Sequence, residues 1–135
     1  MNLKYFLLPF VAWIVSGTLK FFINAIRSGS FKNAKKLIGY GGLPSTHTTI
    51  ISSAVFFYGF SEGFFTPTFT LGLSVMMLFL MDAFTLRRKV GDHAKILNQL
   101  QNKIILRERM GHSGLEIFCG LILGVILGYI FANFL

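Results

Sequence analysis

The sequence predicts an all-α protein, a polytopic membrane bundle of about four transmembrane helices with one amphipathic helix at the interface. Three observations carry this. The 135 residues are 53% hydrophobic and 16% aromatic, and only 13% are charged, against about 25% in a soluble domain. The apolar residues fall into long blocks, with a mean hydropathy of +0.65. Lys and Arg gather in the segments between those blocks, where orienting and anchoring charges belong. At this length a single domain, 1–135, is expected.

The first block runs from Tyr5 to Ile26 and is interrupted only by Lys20. Lys4 before an apolar run also suits a secretory signal, but the apolar character resumes after Lys20 as "FFINAI". At ~1.5 Å per residue the whole block can cross a ~30 Å hydrocarbon core. A basic loop follows, with Arg27 and with Lys32, Lys35 and Lys36, these three lysines being headgroup anchors, and leads into "GYGGLPSTHTT". The second block begins near Pro44 and ends at Ser61; Pro suits a first helical turn, whose N–H groups lack partners anyway. Glu62, Gly63 and Pro67 mark a turn, and the third block, Thr66 to Met81, stops at Asp82. Next comes a basic stretch from Arg87 to His112. Within "HAKILNQLQNKIIL", Ile96, Leu97, Leu100, Ile104 and Ile105 recur at near-helical spacing, which predicts an amphipathic helix on the membrane surface or capping the bundle. The last block, Ile117 to Leu135, carries no charge and has Gly120, Gly124 and Gly128 in one stripe. Such a stripe lets another helix approach closely, and it predicts a homodimer face.

The net charge of +8 flanks apolar blocks, and no nucleic-acid signature accompanies it, so membrane lipids and not nucleic acid are the expected partners. The loops 27–40 and 87–113 hold 11 of the 13 Lys and Arg residues, which puts that side in the cytoplasm and both termini outside. The single Cys119 can form no disulfide within the chain and offers no metal-type spacing; it reads as packing.

Ionisable groups in or beside membrane helices are costly, so Lys20, Arg27, His47, Asp82, Arg87, Arg88, His112 and Glu116 are candidates for function. Lys20 is two turns from Arg27 and can snorkel toward the same end as the others. Carboxylates, histidines and cations at a helix mouth suit a phosphate group, to which helix N-terminal N–H groups add. His112 and Glu116 are four residues apart, a spacing at which a carboxylate can set the tautomer of an imidazole. His93 reads as a surface histidine, and Asp82 as a partner that orients Arg87 or Arg88.

These residues resemble the phosphate site of the type 2 phosphatidic acid phosphatase superfamily, which also includes vanadium haloperoxidases and carries K-x6-R-P, P-S-G-H and S-R-x5-H-x3-D. "KFFINAIRS" matches the first motif with Ser28 in place of Pro; "PSTH" matches the second with Thr46 in place of Gly; "HSGLEIFCG" matches the third with Glu116 in place of Asp. The third-motif Arg position is Leu106, and Arg87 or Arg88, or else Arg107 or Arg109, would replace it. "GGLPSTHTT", "MDAFTLRRKVGDHAKILNQL" and "RERMGHSGLEIFCG" together resemble the divergent branch of small bacterial membrane proteins, which implies the bacterial inner membrane. The resemblance implies that His112 attacks phosphorus, Glu116 orients it and His47 protonates the leaving oxygen. Lys20, Arg27, Ser45, Thr46, Arg87 and Arg88 would hold the phosphoryl oxygens, with Asp82 and Gly42 in support. It also implies no metal and no cofactor. The expected substrate is a lipid phosphate: phosphatidic acid, phosphatidylglycerophosphate or a polyprenyl phosphate. A non-catalytic member of the same fold, binding an anionic headgroup or serving in transport or assembly, is the alternative. A metal-dependent phosphotransferase using Asp82 and Asp92 is a third reading.

Overall fold

The structure is a computed structural model that describes residues 3–32, 42–100, 105–108 and 110–134. Lys35, Lys36, Ile104 and Arg109 lie outside the described residues. The described chain forms five helices: α1 (Leu3–Ser28), α2 (Thr46–Glu62), α3 (Pro67–Phe84), α4 (Leu86–Leu100) and α5 (Gly114–Asn133). Short polar side chains start three of them. Ser45, Thr66 and Ser113 accept the N–H groups of Thr48, Phe69 and Glu116, which would otherwise have no partner in the first turn. Pro67 occupies the first turn of α3, whereas Pro44 sits ahead of the Ser45 cap and so precedes α2 rather than opening it.

α1, the run formed by α3 and α4, and α5 are long and apolar enough to cross a membrane, and this is a membrane protein. Their outer faces carry exposed Phe10, Trp13, Leu78, Phe118 and Ile122, the side chains that lipid would cover. α2 is the helix they surround: it packs along α5 most extensively, then α1, then α3. Leu8 and Ala12 of α1, Phe57 of α2, and Leu127 and Phe131 of α5 form the apolar core.

α2 and α5 run in the same direction from the basic end, and they touch backbone to backbone. A Cβ at Gly120 would lie 2.6 Å from the Ser45 carbonyl; at Gly124, 2.8 Å from that of Thr49; at Gly128, 2.7 Å from the Phe57 amide. The glycine stripe is therefore spent inside the chain on α2, and it does not offer the homodimer face expected of it. The facing side of α2 is small and hydroxylic. Thr49 Oγ1 donates to the Ser45 carbonyl at 2.9 Å and Ser52 Oγ to that of Thr48 at 2.6 Å, so each buried hydroxyl is satisfied by its own helix.

The amphipathic helix is described over Leu86–Leu100, and Ile105 lies in irregular, exposed chain. Asn98 holds that chain. Its Oδ1 accepts the Leu106 N–H at 2.7 Å, and its Nδ2 donates to the Leu106 carbonyl at 2.8 Å. That clasp folds the chain back along α4 and carries it toward His112.

Candidate functional site

The returning chain reaches His112 through Gly111. With φ at +85°, Gly111 adopts a backbone that L side chains rarely take, and a Cβ there would lie 3.2 Å from the Ala83 carbonyl. The turn seats His112 against the α3–α4 junction. Ser113 then caps α5, and Glu116 in the third helical position closes a capping box. Glu116 Oε2 accepts the Ser113 N–H at 3.1 Å and also faces His112 Nδ1 at 3.1 Å. A carboxylate oxygen already taking one N–H makes Nδ1–H the donor, which leaves Nε2 with a free lone pair. Both side chains are buried, at 8% and 7% exposure.

The backbone of Glu116 has a second use. Its carbonyl accepts the Ser45 N–H at 2.9 Å, tying the start of α2 to the start of α5. Ser45 itself is fully buried, and its Oγ accepts from Thr48 N–H at 3.4 Å and Thr48 Oγ1 at 3.0 Å. Ser45 thus serves as a clasp between helices, with its N–H, Oγ and carbonyl all engaged. The tie brings His47, in the first turn of α2, to a ring-centroid distance of 6.0 Å from His112. His47 is exposed and Thr46 half-buried beside it.

The two histidines line one small cleft. Thr48 and Arg87 complete its polar end, while Ile51 of α2 and Phe79, Leu80 and Ala83 of α3 form an apolar wall. Asp82 accepts Arg87 Nε at 3.0 Å and orients that guanidinium. Arg88 donates to the His112 carbonyl at 3.5 Å, with its guanidinium 5.6 Å from the Phe84 ring centre. Two arginines therefore reach the His112 neighbourhood from the α3–α4 junction. Leu106, the position where the motif places Arg, is held on α4 by Asn98. Lys20 of α1 faces Gly42, where a Cβ would lie 3.7 Å from the lysine stem and 3.4 Å from the Asn24 amide. Arg27 stands exposed in the last turn of α1 and does not line the cleft. Asp82 and Asp92 are each ion-paired, the latter with Lys95 at 3.7 Å, and His93 is exposed on α4.

Burial is the main influence on His112, and it pushes the imidazole below its usual pKa. The charges of Lys20 and Arg87 push the same way, while the hydrogen bond and charge of Glu116 oppose them. His112 is therefore a neutral imidazole near pH 7, with one nitrogen oriented and the other available. Sequence reasoning names His112, Glu116, His47, Arg87 and Arg88 here. It passes over Ser113, whose S-x-x-E pattern is a capping signature, and over Thr48 and the apolar wall, which only the packing of α2 on α3 reveals.

The profile of a family described as the divergent PAP2 family matches residues 1–127 of the chain. An uncharacterized membrane protein, YuiD of Bacillus subtilis (strain 168), is similar: it is 24% identical, and the match covers 70% of this chain and 72% of the relative. No solved structure matches.

Proposed function

The chain belongs to the divergent PAP2 family, and we propose that it is a membrane-embedded phosphatase hydrolysing a lipid phosphate through a phosphohistidine on His112. The observation that carries this is the His112–Glu116 pair at 3.1 Å, set across one cleft from His47 and beside Arg87. Nε2 of His112 attacks phosphorus as the ester P–O bond breaks, and His47 gives its proton to the leaving alkoxide. The neutral His47 then takes a proton from water, which attacks the phosphohistidine and frees inorganic phosphate and His112. Arg87 and Lys20 stabilise the equatorial oxygens, where charge gathers in the transition state. The Thr46 and His47 N–H groups, which make no hydrogen bond within the described residues, add the α2 N-terminus to that role. Phosphate monoesters hydrolyse extremely slowly uncatalysed, so a positioned nucleophile, a separate acid and fixed cations are all needed.

The apolar wall of Ile51, Phe79, Leu80 and Ala83 supports a leaving group with an alkyl chain. Phosphatidic acid, phosphatidylglycerophosphate and a polyprenyl phosphate all have one. The basic loops support a site facing the cytoplasm across a bacterial inner membrane. The test is phosphate release from these lipids by detergent-purified protein. Release from at least one, lost in His112→Ala, is expected. Release from none, or full activity in that variant, contradicts the reading; binding without turnover points to a lipid-phosphate receptor on the same fold.

A further inference from the structure

α2 has an open side. Thr49 and Ser52 face α5, and on the other side of the helix stand His47, Ile51, Ala54 and Tyr58. At 100° per residue these four lie within ~30° of one line. Ser52, Ser53, Val55 and Phe57 are buried, whereas Ile51, Ala54 and Tyr58 are half-buried and His47 is exposed. α1 and α3 pack on the flanks of α2 but, among the described residues, not on each other. The line therefore runs along the floor of a groove whose sides are α1 and α3. Both sides belong to helices long and apolar enough to cross a membrane, so the groove opens on the bilayer.

The two ends of the groove differ. Away from the site α3 closes on α2: a Cβ at Gly72 would lie 3.3 Å from Val55, and one at Gly59 2.9 Å from the Phe69 ring. α1 closes there too. Tyr5 donates to Glu62 Oε1 at 3.0 Å, packs on Phe57 with ring centres 4.8 Å apart and lies near Tyr58. Toward the site, α2 and α3 part around the cleft of Ile51, Phe79, Leu80 and Ala83. The groove is thus shut at Tyr58 and open at His47. Between them it rises ~16 Å at ~1.5 Å per residue, about half of a ~30 Å hydrocarbon core, which is the depth of one leaflet.

We propose that this groove takes one alkyl chain of the substrate, that Ala54 sets how deep the chain runs, and that the substrate is an alkyl or isoprenyl phosphate with a single chain. The choice of substrate rests on the phosphatase reading above. There His47 protonates the leaving oxygen, so the chain on that oxygen starts where the line starts. Ile51, one turn on, belongs both to the cleft wall and to the line, and it leads the chain from one into the other. The line is one side chain wide, so one chain fills it. Its floor between His47 and Tyr58 offers no hydrogen-bond donor, and the ester carbonyls of a diacylglycerol leaving group would lie there unsatisfied. A plain hydrocarbon chain has no such groups to satisfy. Ala54 is the smallest side chain on the line and stands ~10 Å beyond His47, so a larger residue there blocks a long chain and spares a short one.

The test has two arms, so that a wrong substrate class and an absent activity look different. In the first, phosphate release by detergent-purified protein is compared on three esters. Hexyl phosphate has a chain that ends short of Ala54, octadecyl phosphate has one that passes it, and dioleoyl phosphatidic acid has two. Octadecyl phosphate is expected to exceed phosphatidic acid in kcat/KM by about tenfold or more. Ala54→Phe is expected to cut the octadecyl-to-hexyl ratio by about tenfold, and Ala54→Leu by less. A ratio is indifferent to how much of each variant folds. Phosphatidic acid equal to or better than octadecyl phosphate overturns the substrate class, and an unchanged ratio overturns the role of Ala54. The second arm needs no turnover. Octadecylphosphonate with a diazirine at mid-chain is photolysed with the full chain in phosphatidylcholine vesicles. Labelling of α2 at or beside Ala54, displaced by plain octadecylphosphonate, is expected. Labels spread over the outward-facing Phe10, Trp13 and Ile122 would mean ordinary bilayer contact and overturn the groove. No phosphate release from any ester, with the label still on α2, would remove the phosphatase reading and leave the groove as a binding site for a single-chain phosphate.

Discussion

At His112 three influences on one imidazole can be separated by experiment. In the proposed mechanism neutral His112 is the nucleophile, and kcat/KM reports the free enzyme. Burial, Lys20 and Arg87 hold its pKa below the usual value, so the acid limb of kcat/KM is expected below pH ~6.5, with the rate falling as pH drops through it. Arg87→Gln removes a charge that lowers the pKa, and the limb moves up. Glu116→Gln removes a group that raises it, and the limb moves down. Opposite displacements in pH–rate profiles of the two variants would be hard to obtain from a general loss of structure. Glu116→Gln also loses the acceptor that sets the tautomer, and a rate loss of ~10²- to 10⁴-fold is expected by comparison with other carboxylate–imidazole pairs. The H-x-x-x-E spacing made this pair legible in the sequence. The choice among arginines was not legible, because Arg87 and Arg88 meet His112 only through the packed α3–α4 junction. Nor was the burial of Ser45, since its partner, the Glu116 carbonyl, lies 71 residues on in the chain.

Among the elements, the α2–α5 contact governs the site, because it sets His47 against His112. Gly124→Ala would drive a Cβ against the Ser52 hydroxyl and to 2.8 Å from the Thr49 carbonyl. Overpacking of this kind costs about 1–3 kcal/mol, read as a lowered midpoint of thermal unfolding in detergent. Gly17→Ala in α1 is the control, since nothing lies within 4 Å of a Cβ there; Ala should leave the midpoint unchanged or raise it. Ser113→Ala removes the cap of α5, worth about 1 kcal/mol. Ser113→Thr, which keeps the hydroxyl, should restore stability. The helices themselves were legible from apolar blocks and caps. The use of the glycine stripe was not, because close-approach spacing looks the same whether the partner is in the chain or in another copy. The clasp on α4 was not legible either: the apolar spacing continues to Ile105, and only the packing shows Asn98 holding Leu106.

For the whole molecule, the fold class was legible because composition and block length constrain a membrane bundle strongly. The central place of α2 was less so. Its 17 residues alternate apolar side chains with Ser and Thr, and only packing shows that the hydroxylic side meets α5. The basic loops predict a cytoplasmic site, and a Cys119→Ser protein with a cysteine at Ser61 or at Lys89 tests it. The cysteine at 61 is expected to react with an impermeant maleimide in intact cells, and that at 89 only after lysis. The central claim is a covalent phosphohistidine on His112. Rapid acid-free quenching of the purified protein with a ³²P-labelled lipid phosphate should leave a label that is stable in alkali, lost in acid, mapped to the peptide bearing His112 and absent from His112→Ala. Turnover without such a label, or a label that persists in His112→Ala, would contradict it.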